Sequence, residues 1–305
     1  MAGTMHDAVR TTTRQGEPLW LRCAPAVFLV LWSGGFAFVT MGLAHAQPLS
    51  FLALRFALVV AVLLPLLVLL RPRMPATRAE WAHLALVGVL MQALYFGLAY
   101  LAMERISAGA TALIVSLQPI LVGLAVPRLT GEVVGAARWV GLALGLLGAA
   151  VVIVARSAVE AASVAGLVFA GAALLAIASG TLAEKRFGVD QHPVTANLVQ
   201  YAVALAVTLP VAALFEDFRI EWTGDLVISL AYLVVGNSLI SITLLLAMIR
   251  RGDAARVSAL FFLVPPIAAL IAWVLLGEAM PAPAWLGLGL AGLGVAIATR
   301  ARPPS

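Results

Sequence analysis

Apolar stretches of about twenty residues follow one another from Ala24 to Thr299, broken only by short charged or turn-forming punctuation. About twenty helical residues cross the hydrocarbon core of a bilayer. The pattern predicts ten spans, near 24–43, 48–70, 81–103, 108–127, 135–155, 163–183, 194–215, 226–249, 257–276 and 283–299. Each is expected to be helical, because backbone groups in lipid have no water to bond. The ten-residue alternation of an outer-membrane barrel does not occur. The stretch up to Leu21 is polar, with Arg10, Arg14 and Arg22 before the first span. It has the charged head of a signal peptide, but the apolar run behind it is too long and more spans follow, so retention is expected.

The basic residues sort by side. Counting alternate connections, one side holds Arg10, Arg14, Arg22, Arg71, Arg73, Arg78, Arg128, Arg138, Lys185, Arg186, Arg250, Arg251, Arg256, Arg300 and Arg302. The other holds only Arg105, Arg156 and Arg219, and Arg55 lies inside a span. The positive-inside rule therefore predicts that both termini are cytoplasmic. The opposite face carries Glu216, Asp217, Glu221 and Asp225. Composition agrees: 63% hydrophobic residues, 11% charged residues and a mean hydropathy of +1.06 exclude a soluble globular chain and a disordered one. The single Cys23 excludes a disulfide scaffold. The pI of 10.1 is a topology signal and not a nucleic-acid footprint.

A shift of 146 residues superimposes the second half of the chain on the first. Leu117, Pro119, Leu124, Leu129, Gly131, Glu132, Trp139, Gly141 and Gly148 meet Leu263, Pro265, Leu270, Leu275, Gly277, Glu278, Trp285, Gly287 and Gly294. Upstream, Ser33-Gly34 meets Ser179-Gly180, and Arg105 meets Arg251. The matched Pro, Gly-Glu and Trp positions carry the argument, since shared leucines mean little in so apolar a chain. Tails at 1–23 and 300–305 would then flank two five-span repeats, 24–156 and 157–299. Five is odd, so the second repeat must cross in the opposite sense. Inverted repeats around a midplane site are the architecture of many secondary transporters. A symmetric, non-transporting scaffold is the alternative reading.

The segments Pro48-Leu-Ser-Phe-Leu-Ala-Leu-Arg-Phe56, Ser107-Ala-Gly-Ala-Thr-Ala-Leu with Gln118-Pro119, Leu129-Thr-Gly-Glu132 and Leu275-Leu-Gly-Glu278 resemble the drug/metabolite transporter superfamily. More narrowly, they resemble its ten-span, EamA-like branch of bacterial amino-acid and metabolite exporters. The resemblance covers nearly the whole chain. It implies an all-α integral membrane fold in a bacterial-type inner membrane, a 5+5 inverted-repeat bundle around a central cavity. That cavity would be lined mainly by the third, fourth, eighth and ninth spans, with the first and sixth contributing and the fifth and tenth peripheral. It also implies export, of amino acids, aromatic compounds or organic cations.

Candidate site residues follow from the polar and aromatic positions inside the spans. Gln92, Tyr95, Phe96, Ala99 and Met103 recur at helical spacing on the third span, with Tyr100 at the edge. The eighth span offers Asn237 and Ser241, and an Asn in hydrocarbon needs a partner helix or a wet cavity. Trp32 and Phe36 share a face of the first span, while Ser116, Ser258 and Phe262 lie on the same predicted cavity side. Plain helix packing competes with each of these. Pro119, Pro265 and Pro266 fall within spans, where a missing N–H frees carbonyls for binding or for bending. Arg55, about 10 Å deep at 1.5 Å per residue, is a candidate for gating or for a substrate carboxylate, against snorkelling. His83, at the cytoplasmic edge of the third span, is a candidate titrating gate. Gly141, Gly145 and Gly148, with Gly287, Gly292 and Gly294, have the spacing of closely packed helices.

All fourteen acidic residues fall in tails, loops or span edges. A carboxylate proton relay is therefore not expected, and neither is strong preference for lipophilic dications. No paired carboxylate, metal cluster or nucleophile–base pair occurs within the spans, so an enzyme is not expected. No cofactor or metal is implied. The expected partners are the bilayer and a small-molecule substrate, with oligomeric state open and a monomer compatible. The expected function is export of neutral or aromatic amino acids, by alternating access through a cavity without fixed charge. The alternative is a multidrug or quaternary-amine exporter on the same scaffold, since aromatic walls also bind cations.

Overall fold

The structure, a computed structural model, describes residues 19–130, 135–156, 163–188, 191–251, 254–276 and 281–300. The Gly131-Glu132 and Gly277-Glu278 pairs and most of both tails lie outside the described residues. The regular structure of the described residues is helical, apart from an isolated antiparallel bridge between Ala46 and Ile220. Its helices are α1 (Leu19–Leu43), α2 (Pro48–Leu70) and α3 (Arg78–Met103), then α4, which runs as Ala108–Val115 and Gln118–Thr130. They continue as α5 (Ala136–Arg156), α6 (Val164–Phe187), α7 (Pro193–Phe215) and α8, running Gly224–Ala231, Tyr232–Ser241 and Ile242–Arg251. Last come α9, running Ala254–Ala259, Leu260–Leu263 and Val264–Leu276, and α10 (Ala282–Arg300). Seven of these are long and apolar enough to cross a membrane, and three shorter apolar helices lie at Ala136–Val152, Val257–Ile271 and Ala282–Ala298.

The helix ends follow local chemistry. Pro48 and Pro193 open α2 and α7, where a missing N–H costs nothing. Thr77 and Thr223, 146 residues apart, accept from the backbone N–H of Glu80 and Leu226 at 3.2 and 3.3 Å and cap α3 and α8. The irregularities recur at the same interval. A π-helical segment interrupts α3 at Gly88–Leu94 and α8 at Tyr232–Ser241. The α4 helix breaks at Ser116-Leu117, and α9 tightens to a 3₁₀ turn at Leu260–Leu263. These breaks correct the expectation that Pro119, Pro265 and Pro266 sit inside continuous helices. Each falls in the first turn after the irregular stretch, so it disrupts less than a mid-helix proline.

The most extensive pairing joins α5 to α10; α2 packs on α7, α3 on α6, α1 on α8, α1 on α9, and α4 on α6 and α9. At the α5–α10 seam, a Cβ on Gly148 would lie 2.6 Å from the Gly287 carbonyl oxygen, and one on Gly141 equally close to that of Gly294. The backbones touch, which is what the glycine spacing predicted. Gly292 is the exception, facing open space. Many large apolar side chains, including Leu64, Leu69, Val154, Leu214 and Leu286, are exposed on the outside of the bundle. In water so much exposed apolar surface would aggregate; in lipid it is the expected outer face.

Candidate functional site

Four helices meet in a cleft. Trp32, Gly35, Phe36 and Val39 come from α1, Arg55 from α2, Leu233 and Asn237 from α8, and Tyr95, Phe96, Ala99, Tyr100 and Met103 from α3. Trp32 is the hub of its aromatic wall. Its ring stacks on Tyr95 at 6.0 Å and meets Phe96 at 5.9 Å, Phe28 at 5.2 Å and Phe261 edge-on at 5.5 Å. Such pairs contribute about 0.5–1.5 kcal/mol each beyond the area they bury. Gly35 lets Asn237 approach α1, since a Cβ there would stand 2.6 Å from Asn237 Nδ2. The cleft holds about 20 Å³ of free room, that of about one water molecule.

Arg55 is fully buried at one side of this cleft. Its Nε donates to Ser238 Oγ at 2.9 Å, one Nη to Tyr100 Oη at 2.8 Å and the other to Asn237 Oδ1 at 2.7 Å. The guanidinium carbon sits 4.3 Å above the Phe96 ring. All these partners are neutral, and among the described residues no carboxylate pairs with it. Hydrogen bonds to a charged group are worth about 1.5–3 kcal/mol each. A charge at bilayer depth costs about 2.5–3.5 kcal/mol on insertion scales, so these contacts suffice to hold the cation in place. They leave its charge unneutralised. Tyr201, 146 residues after Arg55, meets Phe56 with its ring tilted at 5.5 Å and donates to the Ser238 carbonyl at 3.3 Å.

The two ends of the bundle differ. At the end with the acidic loop, a cavity of about 470 Å³ is lined by Thr40, Leu43, His45, Gln47, Glu104, Arg219 and Glu221, and by Met103, which also lines the cleft. At the Arg-rich end, Glu184 near the close of α6 is buried. Its Oε2 lies 3.1 Å from His83 Nε2, and its Oε1 accepts from Arg250 Nε. Arg250 also donates to the Gln191 carbonyl at 3.2 Å, and Gln191 Nε2 donates to Glu80 at 2.8 Å. Helices α3, α6 and α8 and the connection after α6 are thereby fastened together.

Several expectations need correction. The cavity was expected to carry no fixed charge; the structure places Arg55, a candidate for gating or for a substrate carboxylate, in the cleft wall. Its lining comes from α1, α2, α3 and α8, without the fourth, sixth and ninth spans. Phe262 packs toward Gly145 on α5, 2.8 Å from where a Cβ would be, and Phe261 reaches Trp32 instead. The 3₁₀ turn through both residues winds about 120° per residue in place of about 100°, which rotates both side chains away from the α-helical register. Gln92 is buried with neither amide atom partnered, and it is not part of the cleft lining. Its π-helical segment breaks the 3.6-residue period that grouped it with Tyr95.

Ser116 donates to the Leu113 carbonyl at 2.6 Å within its own helix, and Ser258 accepts from Gln118 Nε2 at 3.3 Å, joining α9 to α4. Ser241 is buried without a partner and lies off the cleft. Trp32, Tyr95, Phe96, Tyr100 and Asn237 line the cleft. Glu184 and Arg250, which complete the His83 cluster, were missed. An acid next to Lys185-Arg186 reads as a solvated span edge, and the only signal was the unbroken apolar helix leading into it.

Comparison with known proteins places this geometry. The profile of the EamA-like transporter family matches twice, over residues 23–154 and 164–300. An uncharacterized transporter of Bacillus subtilis strain 168, YvbV, is 25% identical over 264 residues, 86% of this chain and 86% of its own. An uncharacterized inner membrane transporter of Escherichia coli K12, YedA, is 25% identical over 276 residues, 88% of this chain and 87% of its own. A solved crystal structure superimposes with a TM-score of 0.76 at 22% identity, covering 93% of this chain and 97% of that one, and shares the fold. With both halves of the chain matched by one profile, this multi-pass membrane protein belongs to the EamA-like transporter family.

Proposed function

We propose that this chain is a ten-span, 5+5 inverted-repeat exporter that moves small metabolites, foremost neutral and aromatic amino acids, by alternating access. The observation that carries the reading is the cleft of Trp32, Phe96, Tyr100, Arg55 and Asn237, with a vestibule on one side of it and a charged closure toward the other. The two profile matches and the irregularities repeated 146 residues apart support the duplication. So does the packing: adding five to each helix number exchanges α1–α8 with α6–α3 and α1–α9 with α6–α4, and keeps α2–α7, α4–α9 and α5–α10. The basic bias puts the Arg-rich end and both termini in the cytoplasm. In this orientation the structure is open outward, and His83, Glu184 and Arg250 close the cytoplasmic side. Export as the direction rests on the family resemblance.

Transport is facilitative or by exchange. The buried acid, Glu184, is committed to His83 and Arg250 and does not line the cleft. A quaternary-amine exporter is the rival, favoured by the aromatic wall and opposed by the fixed cation. The test is uptake of labelled neutral amino acids by proteoliposomes, with and without a pH gradient. Uptake indifferent to the gradient is expected. Uptake confined to organic cations, or strictly requiring the gradient, would overturn the proposal. Labelling that finds Ser305 and Met1 on opposite sides of the membrane would overturn the span count.

A further inference from the structure

We infer that the cleft selects its substrate by a carboxylate docked on Arg55, with an apolar body against Trp32 and Phe96, and that an ammonium group adds nothing to recognition. The inference rests on the transporter reading of the same site and narrows its substrate class. A guanidinium has five N–H donors in a rigid fork that matches a carboxylate. Ser238, Tyr100 and Asn237 take three of the Arg55 donors, the Tyr201 hydroxyl lies within reach of a fourth, and at least one terminal N–H is left for a ligand. All three acceptors are neutral, so the site keeps a full positive charge beside the free room of the cleft. An anion entering it gains a charge-assisted bond, whereas a cation meets repulsion.

Among the described residues no Asp or Glu lines the cleft, so the ammonium of an amino acid finds no counter-charge from them. The aromatic faces are also partly committed, because the Arg55 cation already lies over Phe96. A carboxylate without an amine therefore satisfies everything the cleft offers. Aryl and branched monocarboxylates should bind at least as well as the matching amino acids.

The test uses the purified full chain in proteoliposomes and a matched panel. Phenylalanine, 3-phenylpropionate, phenylalaninamide and phenethylamine share one ring and differ only in head group; leucine, 4-methylpentanoate, leucinamide and isoamylamine repeat the set with a branched body. Binding is read by quenching of tryptophan fluorescence, with Trp32→Phe as the control, and transport by counterflow. The expected result is that acids and amino acids bind within about threefold of each other, while amides and amines bind at least tenfold more weakly, the size of one charged hydrogen bond. Arg55→Gln should weaken the acids by about a hundredfold, and Arg55→Lys, which keeps the charge and loses the fork, by about tenfold. If Arg55→Gln does not fold, the wild-type panel and Arg55→Lys still decide.

Three outcomes overturn the inference: amines binding as well as acids, amino acids binding while the bare acids do not, or no carboxylate in either set binding. Transport of amines without acids would sink it while leaving the transporter reading standing. Transport of nothing in the panel would sink it and remove the amino-acid reading as well.

Discussion

Arg55 and Arg250 are held in opposite ways. Arg250 meets an acid, Glu184, whose second oxygen is held by His83, and the cluster ties α3, α6 and α8 together at one end of the bundle. Arg55 meets only a hydroxyl, a phenol, an amide and a ring face, and it lies beside free space. A buried charge with its counter-ion supplied by the protein closes an interface. One without it waits for a counter-ion from elsewhere. The same residue type thus makes a latch in one region and a receptor in the other.

Breaking the latch should have the largest effect. Glu184→Gln leaves Arg250 and His83 without their anion, and losing one partner of a buried pair costs about 3–5 kcal/mol. Thermal unfolding in detergent should report it; a loss below about 1 kcal/mol would mean the cluster is incidental. Turning the receptor into a latch comes next. Ser238→Asp supplies Arg55 with an internal carboxylate, and substrate carboxylates should then bind about a hundredfold more weakly, or about 2.7 kcal/mol, with helix content unchanged. Undiminished binding would show that Arg55 is not the docking point. His83→Ala removes one of the two groups on Glu184 and should cost about 1–3 kcal/mol in the same unfolding measurement, less than Glu184→Gln. The smallest effect belongs to the open end. His45 lies 3.7 Å from Glu221 and 3.9 Å from Asp225, both exposed, and His45→Ala should change stability by no more than about 1 kcal/mol. A larger loss would mean that the two ends are not as unequal as their burial implies.

Much of the architecture was readable before any coordinates, because twenty-residue apolar runs sum many weak preferences into one strong signal. The aromatic face of α3 and the Asn237 position were readable for the same reason. What escaped was set by local departures from the α-helical period. The π-helical segment moved Gln92 off the face of Tyr95, and the 3₁₀ turn rotated Phe261 and Phe262 away from the α-helical register. Arg55 was conspicuous as the one charge inside a span, but its role depends on what faces it from α3 and α8, and spacing along α2 carries no such information. Glu184 was hidden by its neighbours Lys185 and Arg186, which made a buried acid look like a wet one.

The Glu216 carboxylate accepts from the backbone N–H of Leu49 and of Ser50 at 2.8 and 2.7 Å, and from the Ser50 hydroxyl at 2.6 Å. A loop from the second half of the chain is thereby clasped to the first turn of the helix that carries Arg55, where the helix dipole favours an anion. The clasp thus crosses between the two stretches that the family profile matches separately. Any displacement of α2 must drag Glu216 along with it or unfasten three bonds at once, so a body that moves with α2 takes a piece of the second stretch with it.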